Sequence, residues 1–440
     1  MTDSKKKLYV YKLEKNDEKE IDFQIEDNLS MSESINLPLL SLGFHNYYYR
    51  TQLTFINGKK NMSKELNNDI ICYDIVNKIN NTIANYEDDL NNYYKIFFDI
   101  KDDINIINSN VFYNIWEILF IFNFIDDTIL NTAIISNDTS PIIQAIVNYR
   151  KKYNYYKSND IIYTVNLNND YSMEEYSDNK LLGYYNDLYK SISNSKLKKK
   201  LNIIDLNKKK GKNDKLTNLK KIVEKENKYV NLIISDFTLK WKNELHKEQE
   251  FYEIFIKSIV NALKIQAKNG NFIIKIFETL TKVSLKLIHI LTFLYDEVFI
   301  VKPYFSKQYD SEKYLILKNF KFNYEDKEDK NKLNKFLLSL ESIIKNIDNS
   351  KYIFDIYSNI TIPNNLIEIF KTINTDIGNQ QQIVLNEIIK YINEKNFFGD
   401  KYHKFKDIQI ESTMWWISNF FPSNNLLEKN KEFFKELYSL

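Results

Sequence analysis

Between about residue 105 and residue 325 the chain alternates short β-rich runs with longer helical stretches, and this rhythm constrains the fold more than any other feature of its 440 residues. The β-rich runs are Thr132 to Ser136, Ile161 to Leu167, Val230 to Asp236, Phe272 to Phe277, Val298 to Val301 and Tyr314 to Leu317. Helical periodicity occupies Ile142 to Tyr153, Glu248 to Ala267 and Leu280 to Tyr295. Strands separated by helices pair in parallel, because a helical crossover returns the chain to the same end of the sheet. The pattern predicts an α/β unit, a Rossmann-like sheet with helices on both faces.

The flanks read differently. Residues 1 to about 34 are charged and aperiodic, which predicts a loosely ordered tail with little chemistry. Ile71, Ile75, Ile79, Ile83, Tyr86 and Leu90 recur at helical spacing and predict an N-terminal helical lobe. After the charged break YEDKEDKNKLNK, helical pattern returns in Leu337 to Ile347 and Ile383 to Ile392, followed by Trp415, Trp416, Phe420 and Phe421. These rings are expected in a core rather than on a stacking surface. The expected organisation is therefore 1–104, a tail and helical lobe; 105–325, the sheet unit; and 326–440, a C-terminal helical lobe.

Composition narrows the class. Apolar residues make up 43% and charged residues 27%, which excludes a wholly disordered chain. Basic and acidic residues number 61 and 59, so any attraction to polyanions must come from local clustering. Cys72 is the single cysteine, so an internal disulfide and a cysteine-based zinc site are excluded and a reducing compartment is expected. The first residues lack an apolar leader, and Ile115 to Ile125 and Leu287 to Tyr295 fall short of the roughly 18 residues of a membrane span, so a soluble intracellular protein is expected. His45, His246, His289 and His403 lack zinc spacing, and neither a Gly-Lys phosphate loop nor a Gly-x-Ser-x-Gly elbow occurs. His289, inside LKLIHILTF, reads as a core residue.

Seven glycines in the whole chain are far below the usual level of about 7%. The abundance of Asn, Ile, Lys, Tyr and Phe matches A/T-rich codons, so each glycine that remains marks a place where a side chain fails. Gly270 is one such place.

Three polar residues stand out. Asp236 closes the run NLIISD, where an acid faces the crevice at the carboxyl end of a parallel strand, although an acid there can also cap a turn. Lys275 interrupts the apolar run FIIKIF of what reads as a central strand, where a buried ammonium requires a carboxylate partner, against the alternative of a lysine snorkelling from an edge strand. Whether desolvation or that partner sets its basicity is not legible in sequence. Glu312 opens a final strand expected to run antiparallel beside its neighbour, which would bring it to the same rim as the other two, against the alternative of a solvent-exposed strand end.

These residues and their surroundings resemble the FtsJ-like (Adrift-type) S-adenosylmethionine-dependent RNA ribose 2'-O-methyltransferases, especially those of large cytoplasmic DNA viruses, over about 105 to 325. The resemblance is carried by ISDF with Asp236, by HKEQE, by GNFIIKIF with Lys275, and by KPYFSKQYDSEKYLILK with Lys302, Ser306, Ser311 and Glu312. LPLLSLGFHNYYYRT and GKNDKLTNLKKI are similar to viral members as well. It implies an S-adenosylmethionine cofactor, capped RNA as substrate, and a Lys-Asp-Lys-Glu tetrad whose second lysine helps deprotonate the ribose hydroxyl. On this mapping Asp236, Lys275 and Glu312 are the aspartate, second lysine and glutamate. The first lysine of the family's F-x-K-x-x-E-I pattern falls in FYNIWEI, where Asn114 stands.

The resemblance also places cofactor contacts at Asn137, Asp138, Thr139, Ser140 and Pro141, in SNDTSPIIQAI, a loop that is rich in Pro and Gly in the family but lacks glycine here. At the adenine end the family's acid is replaced by Lys215, with Asp214 one residue off. The stretch Lys196 to Lys228 holds thirteen lysines against four acids. Lys208, Lys209 and Lys210, with Lys302 and Lys307, are candidate contacts to RNA phosphates, against the alternative of a solvated lysine-rich loop. Two expectations follow. One is an RNA 2'-O-methyltransferase of the host cytoplasm or virion. The other is a methyltransferase-fold RNA-binding or scaffold subunit, without catalysis, of a viral transcription or virion complex. Neither involves a membrane.

Overall fold

The apolar runs in the middle of the chain become strands buried along almost their whole length, as strands covered on both faces must be. The computed structural model describes residues 8–16, 18, 20–34, 50–51, 53–58, 93–98, 110–155, 160–165, 202–205, 220–221, 223–225, 228–237, 239, 241–394 and 400–440.

In chain order the strands are β1 (Tyr9–Lys12), β2 (Leu29–Ser32), β3 (Asn131–Ser136), β4 (Ile161–Val165), β5 (Asn202–Asp205), β6 (Val230–Asp236), β7 (Gln266–Ile276), β8 (Tyr295–Lys302), β9 (Lys313–Phe320) and β10 (Tyr352–Ile356). The helices that bear on the site are α1 (Asn110–Ile121), α2 (Ser140–Lys152), α3 (Lys247–Leu263), α4 (Lys282–Leu294), α5 (Lys327–Asn346), α6 (Asn364–Glu394), α7 (Asp400–Phe420) and α8 (Leu427–Tyr438). The main sheet has the order β1-β8-β9-β7-β6-β3-β4-β5. From β5 to β7 all pairs are parallel, and β9 lies antiparallel between β7 and β8. The strand order reverses between β3 and β6, the place where open α/β sheets form their ligand crevice.

Side chains alternate across the sheet, so each strand feeds both layers. Ile134, Leu232, Ile234, Ile273, Tyr314 and Ile316 face a layer built by α1, α2, the end of α7 and α8. Ala133, Ile135, Ile233, Phe272, Ile274 and Leu315 face α3, α4 and α5. Trp416, Phe420 and Phe421 sit in the first of these layers, as expected of core rings, whereas Trp415 is 39% exposed against Tyr304. His289 is buried, its ring within 3.4 Å of Glu18.

The flanks depart from the sequence reading. The expected loose tail supplies β1, which pairs antiparallel with β8, and β2, which pairs with β10 in a second, two-stranded sheet. Four-residue strands carry too little periodicity to stand out, and both of these are fixed by partners about 290 and 320 positions away. The region after residue 326 likewise contains β10 among its helices. Asp69 to Leu90, Cys72 and His45 lie outside the described residues. Among the described residues no helix is long and apolar enough to cross a membrane.

Arg150, on α2, is buried and ties this helix to the sheet: Nε and Nη2 donate to Asp160 at 3.0 and 2.6 Å, and Nη1 to the carbonyls of Asp126 and Thr128. Gly270 lies where a Cβ would stand 2.8 Å from the Ala267 carbonyl, 3.0 Å from the Val230 carbonyl and in collision with the Gln266 amide. Two of those neighbours are backbone and cannot swing away. Gly270→Ala should therefore cost about 1–3 kcal/mol in urea unfolding, with the loss centred on the β6–β7 pairing.

Candidate active site

Register brings the polar residues together. Ser136 pairs with Asp236 across β3 and β6, Ser235 with Ile274 across β6 and β7, and Lys275 with Tyr314 across β7 and β9. Ser136, Asp236, Lys275 and Tyr314 thus form one row across the carboxyl rim of the parallel strands. Paired residues on neighbouring strands project to the same side, and this row projects toward α1. Glu312 immediately precedes β9, which begins where β7 ends.

Contacts follow from that row. Lys275 Nζ donates to Asp236 Oδ1 at 3.1 Å and lies 3.5 Å from Glu312 Oε2. Tyr314 Oη donates to the other oxygen of Asp236, Oδ2, at 2.6 Å. Asp236 and Lys275 are 2% and 5% exposed, so both depend on these partners for the solvation they have lost. Burial weakens the hold of Lys275 on its proton, but the charges of Asp236 and Glu312 outweigh it and raise its pKa above the ordinary lysine value. Burial, then Asp236, raises Tyr314 far above the tyrosine range, so it is a hydrogen-bond donor at every accessible pH. Asn114 is buried beside this group, close enough to Tyr314 to lower its pKa slightly, and among the described residues its Oδ1 has no hydrogen-bond partner.

The residues after β3 make a turn that requires no glycine. None of Asn137 to Pro141 has a positive φ, and the Ser136 hydroxyl organises the turn, accepting the Asp138 N–H at 3.2 Å and contacting the Asp236 carbonyl. Thr139 is the N-cap of α2 and Ser140 and Pro141 begin it; the cap makes no side-chain hydrogen bond, and the first turn contains no acid. This start carries the positive end of the α2 dipole and, with Pro141 in its first turn, one backbone N–H fewer than usual. Asp214, Lys208, Lys209 and Lys210 lie outside the described residues.

Lys302 corrects the sequence reading. It was a candidate phosphate contact, but the side chain is 4% exposed and turned inward, with Nζ donating to the carbonyls of Lys307, Asp310 and Glu312 at 3.1, 2.8 and 3.0 Å. All three of its donors are spent on the β8–β9 connection. Burial, partly offset by Glu312 and Asp310, pushes its pKa down to about 8. Lys307 is half-buried on the same connection, near the Tyr309 ring. Asp310, also there, pairs with Lys247 at 2.9 Å. Sequence reasoning missed Tyr314, Lys247 and Lys313, whose ammonium is buried against the Phe277 carbonyl. Tyr314 stands two residues beyond Glu312, so strand alternation from Lys275 across an antiparallel neighbour was the signal available for it.

A parallel sheet reversing between β3 and β6, with an acid–lysine–acid group on its carboxyl rim and a terminal antiparallel strand, defines a Rossmann-like methyltransferase fold. Residues 182–320 match the family model described as FtsJ-like methyltransferase. The chain is 25% identical over 173 residues to an uncharacterized protein of Acanthamoeba polyphaga mimivirus, a match covering 39% of this chain and 45% of that protein. It is 32% identical over 80 residues to the cap-specific mRNA (nucleoside-2'-O-)-methyltransferase 2 of Drosophila melanogaster, covering 18% and 11% of the two chains. To the cap-specific mRNA (nucleoside-2'-O-)-methyltransferase 1 of Trypanosoma cruzi it is 42% identical over 59 residues, covering 13% and 16%. The matches thus span less than half the length of these relatives.

Replacing Lys302 by Met should strand three carbonyls and lower stability at pH 7 by about 1–3 kcal/mol in chemical denaturation. Its folded pKa, about 8, lies below the ordinary lysine value of 10.5, so the unfolded chain binds more protons between those limits. Lys302 therefore makes the wild-type fold more stable as pH rises from about 8 to 10.5, and Lys302→Met should flatten that rise.

Proposed function

We propose that this protein transfers a methyl group from S-adenosylmethionine to the ribose 2'-hydroxyl of capped RNA. The convergence of Lys275 with Asp236 and Glu312 on one rim carries the reading, and the similarity to cap-specific 2'-O-methyltransferases supports the substrate class. Asn137, Asp138, Thr139, Ser140 and Pro141 would hold the cofactor at the α2 N-terminus, with Asp214 toward its adenine end. When bound, S-adenosylmethionine supplies an electrophilic methyl on a sulfonium.

The protein's own groups handle the proton. In the resting site Lys275 is an ammonium, and as such it holds and orients the ribose oxygen. Asp236 and Glu312 fix its position, and Tyr314 fixes Asp236 from the other side. Release of the ammonium proton to solvent leaves an amine that takes the hydroxyl proton as the oxygen attacks. Lys208, Lys209, Lys210 and Lys307 would meet RNA phosphates, and the protein would act in the host cytoplasm or virion of the viral lineage to which the mimivirus relative points.

A second reading is an RNA-binding or scaffold subunit of a viral transcription or virion complex without transfer activity. The uncharged Asn114, at the position the family resemblance assigns to a lysine, favours it.

The two readings part on one measurement. A cofactor at a hundred times its dissociation constant stabilises a protein by about 2.7 kcal/mol, so millimolar S-adenosylmethionine should raise the Tm of an enzyme; an unmoved Tm selects the scaffold. For the enzyme, Lys275→Ala should lower methyl transfer to capped RNA by about 10²–10⁴. Because the pKa of Lys275 is raised, its amine fraction grows with pH, and the wild-type rate should climb through the neutral range without a plateau.

A further inference from the structure

The motif FYNIWEI contains a carboxylate that the reactive group above does not use. Glu117, on α1, is fully buried. Its Oε2 accepts the Tyr304 N–H at 2.7 Å; its Oε1 accepts the Phe305 N–H at 2.7 Å and the Trp416 indole N–H at 2.7 Å. A carboxylate removed from water persists only where fixed donors replace its hydration, and such charge-assisted bonds are short and strong. Two of these donors belong to the backbone just past β8, at the start of the connection that ends in Glu312. The third comes from α7.

The surrounding packing keeps these donors in place. Tyr113, on α1, stacks on Phe305 with ring centres 4.3 Å apart and meets Trp416 at 5.3 Å. The far end of the connection is clamped by Lys302, which holds the carbonyls of Lys307, Asp310 and Glu312. The segment 303–312 is thus gripped by an anion on its amides at one end and by a cation on its carbonyls at the other.

We propose that Glu117 is a positioning residue of the reactive centre: by fixing the Tyr304 and Phe305 amides it sets the path of 303–312 and hence the place of Glu312 beside Lys275, and through Trp416 it makes α7 part of that centre. The inference rests on reading Glu312 as a member of the centre. A carboxylate serving only the core would spread its effect over α1 and the sheet, whereas this one bonds to the backbone of the connection itself.

Hydrogen exchange tests this without reference to activity. Glu117→Gln keeps the shape but turns an amide toward an N–H donor, and should speed exchange of the peptide covering 303–312 by about tenfold or more while β6 and β7 keep their protection. Trp416→Phe, which removes one donor and keeps an aromatic ring, should produce the same local pattern more weakly if the glutamine variant fails to fold. In methyl-transfer assays both variants should lose kcat while retaining the KM for S-adenosylmethionine. Wild-type exchange across 303–312, or acceleration spread evenly over the sheet, overturns the proposal. If the wild type transfers no methyl group, the exchange result still decides the role of Glu117, so the two readings fail separately.

Discussion

An ammonium lowered out of solvent between two carboxylates is the constraint around which this molecule is arranged. Lys275 has too little exposure for water to solvate its charge, and the cost is offset only because Asp236 and Glu312 stand within 3.1 and 3.5 Å. Neither acid can supply that by itself. Asp236 is held by the parallel pairing of β6 with β7, and by Tyr314 on β9; Glu312 is held by the connection between β8 and β9. The sheet order and the antiparallel insertion of β9 are therefore conditions of the charge group, as well as its setting.

Much of the remaining chain converges on that connection. Glu117 from α1 and Trp416 from α7 fix its start, Lys302 from β8 fixes its end, Lys247 from α3 pairs with Asp310, and Gln381 from α6 donates to the Asp310 carbonyl. Each is a polar group on a different element, and each replaces with protein contacts the water that a loop of ten residues would otherwise need. The flanking helices thus do more than cover the sheet's apolar faces. They hold in one conformation a segment with little regular hydrogen bonding of its own.

The legible part of the site was legible for a physical reason. A lysine within FIIKIF cannot be buried unpaired, so its presence announced a carboxylate partner, and an acid ending an apolar parallel strand identified Asp236 as the nearest candidate. Lys302 misled because a lysine at a strand end looks alike in sequence whether its ammonium turns to solvent or to three carbonyls of the next loop. The turn after β3, which lacks glycine, has ordinary φ values and a serine hydroxyl organising it, neither of which sequence could show. Gly270, by contrast, was correctly marked as irreplaceable, because two backbone carbonyls crowd the space where its Cβ would be.

The sequence by itself determined the alternation of strands and helices, the burial of the central sheet, and the three residue types that had to meet, because periodicity and the cost of an unpaired charge are local properties of the chain. Tertiary structure alone decided the register that sets Ser136, Asp236, Lys275 and Tyr314 in one row, the inward turn of Lys302, the recruitment of Tyr9–Lys12 and Leu29–Ser32 into sheets, and the grip of Glu117 on Tyr304, Phe305 and Trp416. Those features join residues up to about 320 positions apart, and side-chain direction at such contacts is set by what packs opposite, which no local pattern records.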